Sequence, residues 1–154
     1  MRTEINKIAK LIDDSLEYDN WTGINVQKAL KDVTPVIAVH RFNKNHLNIA
    51  ELVAHIICWN KIMTERLDKH NHEPTKEEDF PLVDEMTDEQ WYDMKLELVR
   101  SFHLLKGKLE NKNDEILDKP IFEGASDAYR NLHGQIAHIH YHLGQIVLLK
   151  KLLS

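Results

Sequence analysis

The sequence predicts an all-α fold, four amphipathic helices packed as a bundle, on three observations. Apolar residues recur at helical spacing in four long stretches, side chains able to cap a helix stand where these stretches begin, and glycine and proline number only 5 and 4 in 154 residues. Stripes of this kind bury best against one another. The chain is read as a single domain over 1–154, long enough to bury roughly two-thirds of the surface its unfolded form exposes.

The first stretch, about Thr3 to Tyr18, sets Ile5, Ile8, Ile12 and Leu16 on one face opposite charge. Trp21, Thr22 and Gly23 then read as a turn, and Val26, Leu30 and Val33 as a short connector helix that Pro35 closes. Asn48 opens the second long helix. Its side chain can accept from the free backbone N–H groups while Glu51, three residues on, reaches back, and the pattern runs to about Leu67. The polar stretch KHNHEPTKEEDFPLVDEM, containing Pro74 and Pro81, is expected to cross one end of the domain as an exposed loop. Thr87 with Gln90 repeats the capping pattern and starts the third long helix, whose Trp91, Leu98, Phe102, Leu105 and Leu109 fall close to a seven-residue repeat. Ser126 or Asp127 caps the last, which carries Leu132, Ile136, Ile139, Leu143, Ile146 and Leu149.

Composition excludes several function classes. A formal charge of -5 without a run of Lys or Arg gives no footprint for nucleic acid or an anionic membrane, and no apolar run approaches the length of a membrane span. A single cysteine, Cys58, forbids an intrachain disulfide, and the opening MRTEINKIAK lacks the apolar core of a signal peptide. The expected compartment is the cytoplasm. Neither a Ser or Cys nucleophile signature nor a phosphate-binding glycine loop is present.

Histidines carry the chemistry. In HIHYHLGQIVLLKK, His138 and His142 stand four apart on a helix, which brings their side chains to about 5–6 Å. At about 100° per residue they share an arc with Gln135 and Gln145, directly beside the apolar stripe. His55 lies near Leu52, Trp59 and Ile62 on the second long helix, so it too points inward. One histidine on an apolar face is ordinarily a core residue bonded to backbone or water. Three in one seam, with no acid nearby, leave lone pairs that a divalent cation satisfies. His55, His138 and His142 are therefore the candidate metal ligands. His133 and His140 read as outer-face residues, His70 and His72 as solvated loop residues, and His40, His46 and His103 have no partner at ligand spacing. Cys58, one turn from His55, reads as a small buried hydrophobe ahead of a fourth ligand, and Glu51 as a helix cap ahead of a group supporting the site.

The segment IAELVAHIICWN, the FP that precedes TDEQW, and the terminal HIHYHLGQIVLLKK together resemble the DinB-like (DinB/YfiT) family of metal-dependent four-helix bundle enzymes. The resemblance covers nearly the whole chain, and the terminal motif is its most specific part. It implies an up-down-down-up bundle and a divalent ion held by one histidine of the second helix and two in an HxxxH of the last, which here match His55, His138 and His142. The family name refers to induction by DNA damage and implies no DNA binding. The resemblance further implies a low-molecular-weight thiol, such as bacillithiol, mycothiol or glutathione, transferred onto an electrophile or used in isomerisation. On that basis the expected function is a metal-dependent thiol transferase or detoxification enzyme acting on a small molecule, with a metal-activated thiol or water as nucleophile. Zinc is the first choice of ion, and nickel, iron and manganese stay open because imidazole suits several metals. A metal-dependent hydrolase and a non-catalytic metal-binding stress or interaction protein are the alternatives, and a homodimer stays open as the assembly under any of these readings.

Overall fold

A computed structural model describes residues 3–153, and these are all-helical, with no strand among them. α1 (Glu4–Leu16) opens on Thr3, whose hydroxyl accepts from the Asn6 N–H, and it buries Ile5, Ile8, Ile12 and Leu16. The carboxylate of Asp114, on a 3-10 turn (Asp114–Ile116), accepts from the free N–H groups of Glu4 and Ile5 at 2.9 Å each.

The connector departs from expectation. Pro35 does not close a helix; it opens one. α2 (Val26–Leu30) ends ahead of Asp32, which turns the chain at φ 61°, and Thr34 then caps α3 (Pro35–Val39). Proline fits a first turn because its missing N–H has no partner there in any case.

α4 (Ile49–Arg66) starts with the expected capping box: Asn48 accepts from the Glu51 N–H at 2.9 Å and Glu51 from the Asn48 N–H at 3.1 Å. Glu51 also accepts from Arg41 and from the Val83 N–H. Burial pushes its carboxyl pKa up, but Arg41 and the Val83 and Asn48 N–H groups outweigh that and hold it below the usual range. Glu51 is thus committed to joining the start of α4 to the segments on either side.

The stretch after α4 is largely exposed, as expected, but it is not a plain loop. Thr75 and Glu78 form a further capping box, which the polar composition conceals, and this starts α5 (Lys76–Asp79), packed on α4. α6 (Asp88–Glu110) begins at Thr87 and Gln90 as the pattern requires. Asp127, not Ser126, caps α7 (Ala128–Leu152) by accepting from the Arg130 N–H at 2.7 Å.

The four long helices pack in a ring, α4 and α1 each touching both α6 and α7. Ile8, Ile12, Ile56, Phe102, Leu105, Leu132, Ile139 and Ile146 are fully buried between them, whereas Ile136 and Leu149 are only half-buried. A buried polar ladder crosses three helices: Gln135 donates to Asn60 Oδ1 at 2.8 Å, Asn60 to Ser101 Oγ at 3.0 Å, and Ser101 to the Leu98 carbonyl at 2.7 Å. Because every member is satisfied, the ladder fixes the register of α7 on α4 one turn before His138. No described helix is long and apolar enough to cross a membrane.

Candidate metal centre

α4 and α7 together bring His55, His138 and His142 to one point, their ligand atoms all within 4.8 Å of one another. The Nε2 atom of His138 lies 2.8 Å from that of His55 and 2.9 Å from that of His142. Two of the rings are oriented from behind. His55 presents Nδ1 to Asp79, 2.7 Å from the carboxylate and 3.1 Å from the carbonyl, and His142 presents Nδ1 to Gln145 Oε1 at 2.6 Å. Both partners are acceptors, so the proton of each neutral imidazole sits on Nδ1 and the Nε2 lone pair faces the cluster.

Three facing nitrogens cannot satisfy one another. A proton on His138 Nε2 can be donated to one neighbour only, which leaves the other lone pair buried against it, and His138 Nδ1 is itself buried with no partner among the described residues. If that proton moves to Nδ1, three lone pairs converge. A divalent cation accepts all three, and three neutral imidazoles are a donor set suited to it. The residues present therefore fit a metal ion, and the three could hold one.

The surroundings favour the uncharged rings that ligation needs. Burial, then the proximity of His142 and His55, takes the His138 pKa down to about 4, against a small opposing pull from Asp79. Burial also lowers that of His142, against the Gln145 hydrogen bond. Phe80 stacks on His55 with ring centroids 4.0 Å apart and planes 8° from parallel, Trp59 meets His138 edge-on at 5.8 Å, and Tyr141 meets His142 at 5.0 Å.

Sequence reasoning missed Asp79 and Phe80. The expectation of no acid near the histidines is wrong: Asp79 bonds His55 and also accepts from Trp59 Nε1 at 2.7 Å. Thr75-x-x-Glu78 was the available signal, since a helix starting there ends at Asp79. Glu51 supports no ligand. Cys58 faces away, lining a cleft with Lys61, Glu65, His72 and Glu78, and burial and the charges of Asp79 and Glu78 raise its thiol pKa. Nor are His133 and His140 outer-face residues. His140 is half-buried, Nε2 3.0 Å from Ser15 Oγ and Nδ1 3.2 Å from Thr22 Oγ1, because α7 packs against α1 on this side; His133 lies half-buried against Tyr129 at 4.3 Å. His72, expected to be simply solvated, bonds Glu65 at 2.9 Å.

A cleft of about 300 Å³ opens beside the cluster, lined by His138 with Trp59, Met63, Arg66, Arg130 and Gly134 among others. No family model, curated protein or solved structure matches the chain.

Proposed function

We propose that the protein is a divalent-metal-dependent enzyme of the DinB-like kind, an up-down-down-up four-helix bundle that transfers a low-molecular-weight thiol onto a small electrophilic molecule. The observation that carries the metal half of this reading is the convergence of three Nε2 atoms backed by Asp79 and Gln145. His55, His138 and His142 would hold the ion. When bound, the ion supplies a Lewis acid whose charge, undiminished by three neutral ligands, lowers the pKa of a thiol or water at its open position. Asp79 and Gln145 keep the two outer rings in the ligating tautomer, and the stacked Phe80 limits the rotation of His55 and keeps water from its face. The cleft at His138, at the small end of the usual range for ligand pockets, admits a molecule of modest size.

The choice of a thiol rests on the sequence resemblance. Protein loaded with zinc, and separately with nickel, iron or manganese, is to be mixed with glutathione or bacillithiol and 1-chloro-2,4-dinitrobenzene, and in parallel with p-nitrophenyl acetate alone. Thiol-dependent turnover lost in His138→Ala supports the transferase. Ester cleavage without thiol dependence makes it a hydrolase, and metal binding without either activity across a wide substrate panel makes it a binding protein.

A further inference from the structure

The cleft beside His138 has an unusual charge for this chain. The protein carries a formal net charge of -5, yet the cleft is lined by two arginines, Arg66 and Arg130, and by no acidic side chain among the described residues. Arg66 is nine-tenths buried. Its guanidinium lies 5.4 Å from the Trp59 ring and 5.2 Å from that of Phe122, which holds the plane in place. Among the described residues its one ion pair is a long contact of Nη2 with the exposed Glu73 at 3.3 Å, and its buried Nε has no partner there. A guanidinium desolvated to this degree is costly unless an anion completes its hydrogen bonds. Arg130 lines the same cleft, and among the described residues its guanidinium has no hydrogen bond or ion pair; its backbone N–H alone is engaged, by the Asp127 cap. Gly134 keeps the space open: a Cβ placed there would meet nothing within 4 Å.

We infer that this cleft binds a small organic oxyanion, its carboxylate or phosphate held by Arg66 and Arg130 and its apolar part against Trp59 and Met63, with its other end at His138. The last clause rests on the metal-centre reading; the arginine subsite does not. Two planar donors facing one cleft match an oxyanion with two or three acceptor oxygens. Apolar walls beside them favour an organic body over an inorganic ion, and the volume limits that body to roughly the size of a substituted ring.

The test is a titration of the full chain, followed by NMR, with benzoate, phenyl phosphate and neutral benzamide, each with and without one equivalent of zinc. Benzoate or phenyl phosphate should bind at least about tenfold more tightly than benzamide, the stronger of the two identifying the oxyanion, and Arg130→Ala should weaken it by about tenfold or more with zinc stoichiometry unchanged. Arg66→Gln should do the same; should burial of that side chain prevent folding, the exposed Arg130 still decides. Gly134→Phe, which fills the cleft without altering charge, should abolish binding. Equal binding of benzamide, or unchanged affinity in Arg130→Ala, overturns the inference. So does oxyanion binding that disappears in His138→Ala, because the ligand then sits on the ion. Arginine-dependent binding in wild-type protein that takes up no zinc would sink the metal reading and leave the subsite standing.

Discussion

Asp79→Asn separates a metal centre from a passive histidine cluster, because Asp79 stands behind His55, outside the three-histidine group, and would act on an ion only through that ring. Its carboxylate lies 2.7 Å from His55 Nδ1 and accepts from Trp59 Nε1 at the same distance. Asparagine preserves shape and one acceptor oxygen, and the Asp79 carbonyl, 3.1 Å from the same Nδ1, remains. What is lost is the charge, and charge-assisted hydrogen bonds are about twice as strong as neutral ones. Removing a group that orients a histidine ligand typically costs about 10–100-fold in metal affinity, or about 1.4–2.8 kcal/mol. With the shape retained and the carbonyl in place, about tenfold is expected. Zinc affinity is read by competition with a chromophoric chelator at neutral pH, with circular dichroism reporting helicity. Asp79→Ala additionally strands the indole N–H of Trp59 and should lower folding stability by about 1–3 kcal/mol. Wild-type zinc affinity in a fully helical Asp79→Asn protein would refute the role given to Asp79.

Three further outcomes are expected. In metal-free protein the folded pKa of His138, about 4, lies below the unfolded value of about 6.5, so the unfolded state binds more protons between them and stability falls as pH drops through that window; His142 and His140, also lowered, act in the same direction. Urea midpoints measured from pH 7 to pH 4 should decline, and less steeply in His138→Gln; a flat wild-type profile contradicts the burial of uncharged imidazoles. Gly134→Ala adds a methyl in open space to the interior of α7 and should stabilise by about 0.8–1 kcal/mol, raising Tm by about 2–4 °C, whereas a lower Tm would mean the position is crowded. Asn60→Ala leaves Gln135 without its acceptor and should cost about 2–3 kcal/mol in urea unfolding; a loss below about 0.5 kcal/mol would show the ladder to be dispensable.

The residues that meet at the cluster were legible because each is local to a long periodic helix. His138 and His142 follow from i, i+4 spacing, and His55 from its place beside Leu52 and Trp59, so helix geometry alone sets their direction. Asp79 and Phe80 were not legible in this way. They end a four-residue helix too short to show periodicity, and what brings them to His55 is the folding back of α5 on α4. Pro35 misled because proline stops a helix and also begins one, and only Thr34 before it distinguishes the two. His140 misled for a different reason. A helix wheel separates faces, but α7 has neighbours on more than one side, so His140, opposite the metal ligands, meets Ser15 and Thr22.

Metal content after equilibration with a divalent ion and exhaustive dialysis tests the centre most directly, with wild-type protein compared with His138→Ala. About one ion per chain is expected in the wild type, together with a Tm that rises on zinc addition and falls with chelator. His138→Ala should lose the ion while keeping its helicity, because the core around it is apolar and the Gln135–Asn60–Ser101 ladder lies outside the cluster. A wild-type protein that takes up no ion, or a His138→Ala variant that retains it in full, would contradict the assignment of His55, His138 and His142 as a metal site.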